Sequence, residues 1–282
     1  MMLVYYLIFG FIIYTFIKKK YKIVSISVMA GYLLGILYFR FVNPYANITF
    51  IDCGQGDSAL IELPHGDGVM LVDAYNSYNY LKTKGLYKID YLVLTHSDSD
   101  HIGDYIEIIN NFNVKNILYP SFDEKFSELL MDINVKKLGI NDNYIINNDF
   151  NIKLIGPINK YDDPNSNSIV FRMDINSTKI LFTGDMTENE ENDCINKYKN
   201  ELDSDILKVA HHGSNTSSSL EFIDLVKPDV SIISVGFDNK YGLPNDEIVK
   251  RLKNYSTVYM TKDSGNINVK ISKDKYAIST YR

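Results

Sequence analysis

Apolar positions fall along this chain in two textures. Residues 1–17 carry no charge and are mostly Leu, Ile, Phe, Tyr and Val; Lys18-Lys19-Lys20-Tyr21-Lys22 follows, and residues 23–39 are again uncharged and apolar. Each stretch approaches the roughly 20 residues a helix needs to cross a bilayer. The pattern therefore predicts an N-terminal transmembrane helical hairpin over residues 1–43, with spans at about 1–17 and 23–39. Four lysines in the connection predict a cytoplasmic loop, and hence a cell-membrane protein whose following domain is extracytoplasmic. A buried hairpin in a soluble protein is the alternative. A secretory signal peptide does not fit, because no positive charge precedes the first apolar run.

From residue 44 the texture changes to short apolar runs separated by polar turns. Runs at 48–53, 58–63, 69–73, 91–94, 116–119, 168–175, 179–183, 206–209 and 230–234 read as strands, with later ones near 257–260, 267–271 and 276–280. Helical spacing recurs at 105–111, 124–130, 220–226 and 246–254. Strand pairs mixed with single helices predict two packed sheets covered by helices, an α/β (α+β) domain over 44–282.

Charge changes the picture once the two textures are separated. The chain is −6 overall, but its first 46 residues hold five basic residues and no acids, so the remaining 24 basic and 35 acidic residues leave about −11. An acidic domain argues against a processive nucleic-acid binder with a broad basic footprint, while leaving a local basic groove open. Cys53 and Cys194 are neither paired nor ligand-spaced and do not decide the redox compartment.

Candidate chemistry gathers at strand ends. After the run Tyr91-Leu92-Val93-Leu94 come His96, Asp98, Asp100 and His101; after Ile180-Leu181-Phe182 comes Asp185; after Ile206-Leu207-Lys208-Val209-Ala210 come His211, His212 and Ser214. Four of the five histidines lie in this set. Crevices at the carboxyl ends of strands are where open α/β sheets place ligands. Imidazole and carboxylate together suit zinc, manganese or iron.

These residues carry a family resemblance. His96-Ser97-Asp98-Ser99-Asp100-His101, Thr183-Gly184-Asp185 and His211-His212-Gly213-Ser214 resemble the metallo-β-lactamase-fold hydrolases. Phe50-Ile51-Asp52-Cys53-Gly54-Gln55-Gly56-Asp57-Ser58, Leu71-Val72-Asp73, Asn167-Ser168-Ile169-Val170 and Tyr241-Gly242-Leu243-Pro244 look like the ComEC branch, the hydrolase domain of competence DNA-uptake proteins. The resemblance covers roughly residues 47–272. It implies a four-layer αββα sandwich and one or two divalent ions, Zn2+ or Mn2+. The implied first metal set is Asp100, His101, Asp185 and His212, with His96 and Asp98 facing a second ion and sharing Asp185. Asp73 would orient a ligand histidine, and Gln55 and Asp57 sit in the glycine-rich turn beside it.

The implied activity is hydrolysis of a phosphodiester by metal-activated water, DNA nuclease first, with Asp98 or Asp100 relaying a proton and His211 touching substrate. Ser214 and the hydroxyls after it either bind phosphate or cap the next helix. Single-stranded DNA is the implied substrate and a separate channel or membrane protein the implied partner. The alternatives are hydrolysis of a wall or lipid-linked phosphoester, and a non-catalytic binding or assembly subunit on the same fold. Two departures stand out. No histidine lies between 101 and 185, where Asn167-Ser168 stands instead, and Leu243 replaces the histidine many members carry. Both predict a weaker second ion or slower chemistry.

Overall fold

The computed structural model describes residues 10, 14, 22–141, 145–146 and 151–282. The chain divides into two units, 1–44 with 64–66, and 45–63 with 67–282. In the first, the second apolar stretch forms one helix, α1 (Lys22–Val42). Among the described residues no helix is long and apolar enough to cross a membrane, so the expected pair of spans is not found. Lys22 and Arg40 bracket α1, and serines and glycines dilute the residues between them. Of the first stretch, only Gly10 and Tyr14 lie within the described residues.

Among the described residues, the second unit has fifteen strands. One sheet has the order β15-β14-β1-β2-β3-β4-β5-β6, from β1 (Ala46–Phe50), β2 (Ala59–Glu62), β3 (Val69–Val72), β4 (Lys88–Val93), β5 (Asn113–Pro120), β6 (Lys136–Ile140), β14 (Asn266–Ile271) and β15 (Tyr276–Tyr281). The other has the order β13-β12-β11-β10-β9-β8-β7, from β7 (Ile145–Ile146), β8 (Ile152–Gly156), β9 (Val170–Ile175), β10 (Thr178–Phe182), β11 (Ile206–Lys208), β12 (Val230–Ile233) and β13 (Thr257–Met260). Both sheets mix antiparallel hairpins with parallel neighbours: β3-β4-β5-β6 run parallel in the first, and β10-β11-β12-β13 in the second.

Three apolar clusters hold the layers together. Between the sheets, Ile48, Phe50 and Met70 from one side meet Phe171, Phe182 and Ile232 from the other, with Phe171 and Phe182 stacked 4.8 Å apart. Outside the first sheet lie α2 (Tyr78–Thr83), α3 (Ser99–Ile102), α4 (Tyr105–Asn111) and α5 (Lys125–Leu129), anchored by Leu81, Ile102, Ile108 and Phe126. Outside the second lie α6 (Glu188–Tyr198), α7 (Leu220–Val226) and α8 (Asp246–Lys253), anchored by Ile195, Phe222 and Leu252. A last short helix, α9 (Thr261–Ser264), leads into β14. Helix, sheet, sheet, helix is the expected αββα order.

This layering positions the chemistry. Strands β3, β4, β10 and β11 lie inside their sheets, and their runs are parallel to a neighbour, so the loops leaving them emerge along common edges. The sheets face each other through the central core, which brings those edges together.

Candidate metal centre

The loop after β3 begins at Asp73, 2% exposed and with a positive φ of 58°. Its carboxylate accepts three hydrogen bonds: from the Thr95 amide at 2.8 Å, from the Thr95 hydroxyl at 2.8 Å, and from His101 Nδ1 at 2.8 Å. The last fixes the ring so that Nε2 presents its lone pair away from Asp73, the usual task of a carboxylate behind a ligand histidine. Similarly, His212 Nδ1 donates to the Ser234 carbonyl at 2.9 Å and leaves Nε2 free. Burial, then the neighbouring His101, pushes His96 down to about 3, so its imidazole is neutral at physiological pH.

Four donor-bearing side chains converge: atoms of Asp57, His101, Asp185 and His212 all lie within 4.8 Å of one another, and all four residues are buried. His101 Nε2 is 3.3 Å from Asp185 Oδ1, and His212 Nε2 is 3.6 Å from Asp185 Oδ2. The buried atoms Asp57 Oδ1, His96 Nε2, His101 Nε2, Asp185 Oδ1 and His212 Nε2 have no hydrogen-bond partner. An orphaned buried polar atom costs about 1–3 kcal/mol, and four of these five belong to the side chains that converge, an arrangement that fits a cation. The charge balance agrees. Asp57, Asp73 and Asp185 are buried carboxylates, and Lys208 is the buried ammonium among them. Burial lowers the His101 and His212 imidazoles, but the Asp185 carboxylate outweighs it and raises both, so without an ion these rings offset the excess, and a dication would take that place.

Asp57 joins the expected His101, Asp185 and His212 in the convergent group. Sequence reasoning placed it beside the metal loop and gave the fourth place to Asp100. The structure groups Asp57 with the two histidines and Asp185, while the Asp100 side chain is 36% exposed, with Oδ2 3.5 Å from His212 Nε2. The reason is local. Asp57 N–H donates to the Asp100 carbonyl at 3.0 Å, locking the two loops together. Gly56 makes this approach possible, because a Cβ there would collide with the Tyr75 ring and that same carbonyl. Asp57 is in turn paired with Lys208, Oδ2 to Nζ at 2.8 Å, both side chains almost fully buried. Burial pushes the Asp57 carboxyl up, but the Lys208 ammonium and then His212 outweigh it and hold it below the ordinary value.

Sequence reasoning missed Lys208. The signal was present as one charge inside the apolar run Ile206–Ala210, just before the histidine pair. Lys208 also donates to the Val209 carbonyl at 3.0 Å.

The remaining expected residues divide. His96 is fully buried, its ring 4.1 Å from that of His101, but Asp98 turns outward: it is 42% exposed, 3.9 Å from His96 Nε2 and 3.6 Å from Lys125 Nζ. Among the described residues, His96 and Asp98 are not part of the convergent group of four donors. Asn167 is not among the convergent donors; its side chain is spent within its own loop, donating to the Tyr161 and Asp163 carbonyls and accepting from the Tyr161 amide. Ser168 does reach the site, its Oγ accepting from the Asp185 amide at 3.1 Å.

Ser214 accepts from the Thr216 amide and hydroxyl, so it braces the loop instead of capping α7; that cap is Ser219, which accepts from the Phe222 amide. His211 and His212 both take positive φ, 48° and 51°, which turns the two rings apart. His211 is half-buried, its Nδ1 3.0 Å from Thr216 Oγ1 and its Nε2 3.9 Å from Asp185 Oδ2.

Above the cluster lies a cleft of about 320 Å³, lined by Gln55, Asp98, Asp100, His211, Tyr241 and Leu243 among others. Gln55 Oε1 accepts from the Gly236 amide at 3.2 Å and ties the two rims. Leu243 lines the cleft and packs against the outer apolar cluster, offering no proton.

A family model for the metallo-beta-lactamase superfamily matches residues 51–236. The chain belongs to the metallo-beta-lactamase superfamily. It is similar to ComE operon protein 3 of Bacillus subtilis, 27% identical over 93% of this chain and 38% of that protein. It is also similar to competence protein ComA of Neisseria gonorrhoeae, 28% identical over 77% of this chain and 31% of that protein. The chain therefore spans about a third of the length of these relatives. Among solved structures, the metallo-beta-lactamase fold protein YhfI of Bacillus subtilis superposes with a TM-score of 0.56 at 17% identity, over 81% of this chain and 100% of that one, a likeness of fold. The superfamily's divalent metals match the donor set found here.

Proposed function

We propose that this chain is a metal-dependent phosphodiesterase acting on nucleic acid, with DNA the favoured substrate. The observation that carries this reading is the convergence of buried, unpartnered imidazole and carboxylate atoms beneath an open cleft. The relatives ComE operon protein 3 and competence protein ComA support it. Asp57, His101, Asp185 and His212 would hold the ion, and His96 is next to them. A divalent ion bound there supplies Lewis acidity toward water and phosphoryl oxygen, and manganese and zinc both suit this mixed donor set.

The chain's own residues do the rest. Asp73 and the Ser234 carbonyl fix two imidazoles in the tautomer that leaves Nε2 unprotonated. Lys208 keeps Asp57 ionised in an environment that would otherwise protonate it. Asp100, half-exposed at the cleft floor, takes the proton released by the attacking water. The water oxygen adds to phosphorus, the ester P–O bond breaks, and the departing oxygen is protonated from solvent, since Leu243 provides no acid. Loss of acid assistance costs about 10²–10⁴-fold in comparable enzymes, so turnover is expected to be slow and to favour good leaving groups. His211, held by Thr216, faces the substrate side of Asp185.

The reading needs no membrane anchor. Its test is cleavage of labelled single-stranded DNA by the purified full chain with manganese or zinc, beside a His101→Ala Asp185→Ala control. Metal-dependent cleavage absent from the control is expected. Metal-loaded protein that leaves DNA intact but cleaves a wall or lipid-linked phosphoester would replace nucleic acid with that substrate class.

A further inference from the structure

The loop 236–244 after β12 carries two large aromatic side chains that the fold leaves outside. Phe237 is 73% exposed and Tyr241 63% exposed. The loop is nevertheless braced from within. Asn239 Nδ2 donates to the Gly236 carbonyl at 3.0 Å and to the Leu243 carbonyl at 2.7 Å, and its Oδ1 accepts from the Leu243 amide at 2.9 Å. Both ends are fastened to the site: Gly236 N–H to Gln55, and Asn245 N–H to the Gly213 carbonyl at 2.9 Å, next to His212. Tyr241 lines the metal cleft, and Phe237 is exposed four residues before it on the same self-bonded loop. Between them Lys240 lies over the Tyr241 ring, Nζ 5.3 Å from its centroid.

We propose that Phe237 and Tyr241 form a stacking platform for the unpaired bases of a single-stranded nucleic acid, with Lys240 meeting a backbone phosphate between them; this rests on the phosphodiesterase reading of the same cleft. Two features constrain how this occupant is held. The domain is acidic, and the cleft itself presents Asp98, Asp100 and Asp185, so a polyanion cannot be held there by broad charge neutralisation. Affinity must come from contacts indifferent to charge, and base–aromatic stacking is the one these side chains offer. Duplex bases are already stacked on one another, so the platform selects single strands and frayed ends.

The experiment compares a fluorescent 12-mer of thymidylate with an abasic 12-mer carrying the same phosphates. Binding to the metal-stripped full chain is read by anisotropy, and cleavage is read with manganese added. The wild-type chain is expected to bind the thymidylate at least tenfold more tightly than the abasic strand. Its affinity should fall little with salt, since about one phosphate is neutralised. Phe237→Ala Tyr241→Ala should bring the two strands to the same affinity, a loss of roughly tenfold per ring from the stacking range seen on alanine substitution. Equal binding of both strands by the wild type, or a preference the double variant keeps, overturns the platform. Base-dependent binding without cleavage of either strand leaves the platform standing and removes the phosphodiesterase reading instead.

Discussion

Two places in this molecule bury several acidic side chains, and they differ in what surrounds them. At the metal centre, Asp57, Asp73 and Asp185 meet histidines, the Lys208 ammonium and backbone donors, and their free atoms point at one another. On α6, Glu190 and Glu191 are both fully buried, and among the described residues no cation is paired to either. Glu191 accepts from the Ser218 and Ser219 amides, whereas neither oxygen of Glu190 has a partner. Burial of carboxylates is common to both. Convergence of unlike donors is found only at the first, and that, not burial, marks an ion site.

The strongest way to break the comparison is to remove its centre. Asp185→Ala takes away the carboxylate that both ligand imidazoles approach. Metal content by atomic emission should fall to background, and metal-dependent cleavage should drop by more than about 100-fold, the upper end of what loss of an outer-sphere partner costs. Retained stoichiometric metal would move the ion to the other buried acids.

Lys208→Met tests whether the buried ammonium sets the metal centre apart. Breaking a buried pair by removing one partner costs about 3–5 kcal/mol, because the other charge stays buried and unpaired. Denaturant unfolding of the metal-free variant should show a loss of that size. Saturating metal should recover part of it, since the ion then sits beside Asp57. A variant as stable as the wild type without metal would mean that Asp57 is not held as an anion by Lys208. The support behind the ligands is tested by Asp73→Asn, which keeps the shape but replaces the acceptor of His101 Nδ1–H with an amide. Metal affinity measured by competition with a chelating dye should weaken about 10–100-fold.

How much of this was legible in the sequence depends on whether a residue's neighbours in sequence are also its neighbours in space. Strand β13 and helices α4 and α7 begin and end where their apolar spacing places them, and each of the two helices buries one clean face. The His96–His101 loop, Asp185 and His212 were visible because each follows a buried strand. Asp57 and Lys208 are 151 positions apart, and only the tertiary fold shows that they pair and that Asp57 stands with His101, Asp185 and His212. Strands β6 and β8 escaped notice since Lys136, Lys137, Gly139 and Lys153 interrupt their alternation. Helix α6 was missed for a related reason. Its buried face includes two glutamates, so the hydrophobic period that announces a helix is written partly in acids.

Those glutamates supply the mildest test. Burial, then Glu191 and Asp193, push the Glu190 carboxyl well above its ordinary value, so the folded chain holds it neutral. A raised folded pKa means that the folded state keeps the proton where the unfolded state has lost it. Glu190 therefore adds no pH-dependent cost below about pH 4.3, the unfolded value, and erodes stability by about 1.4 kcal/mol for each pH unit above it until the folded group ionises. Glu190→Gln removes that slope. Unfolding free energies measured across pH 4 to 8 should show the variant gaining on the wild type as pH rises, with the difference flat below pH 4. A difference that does not change with pH would mean that Glu190 is ionised in the fold and has found a counter-charge, and the two buried acid clusters would then be alike after all.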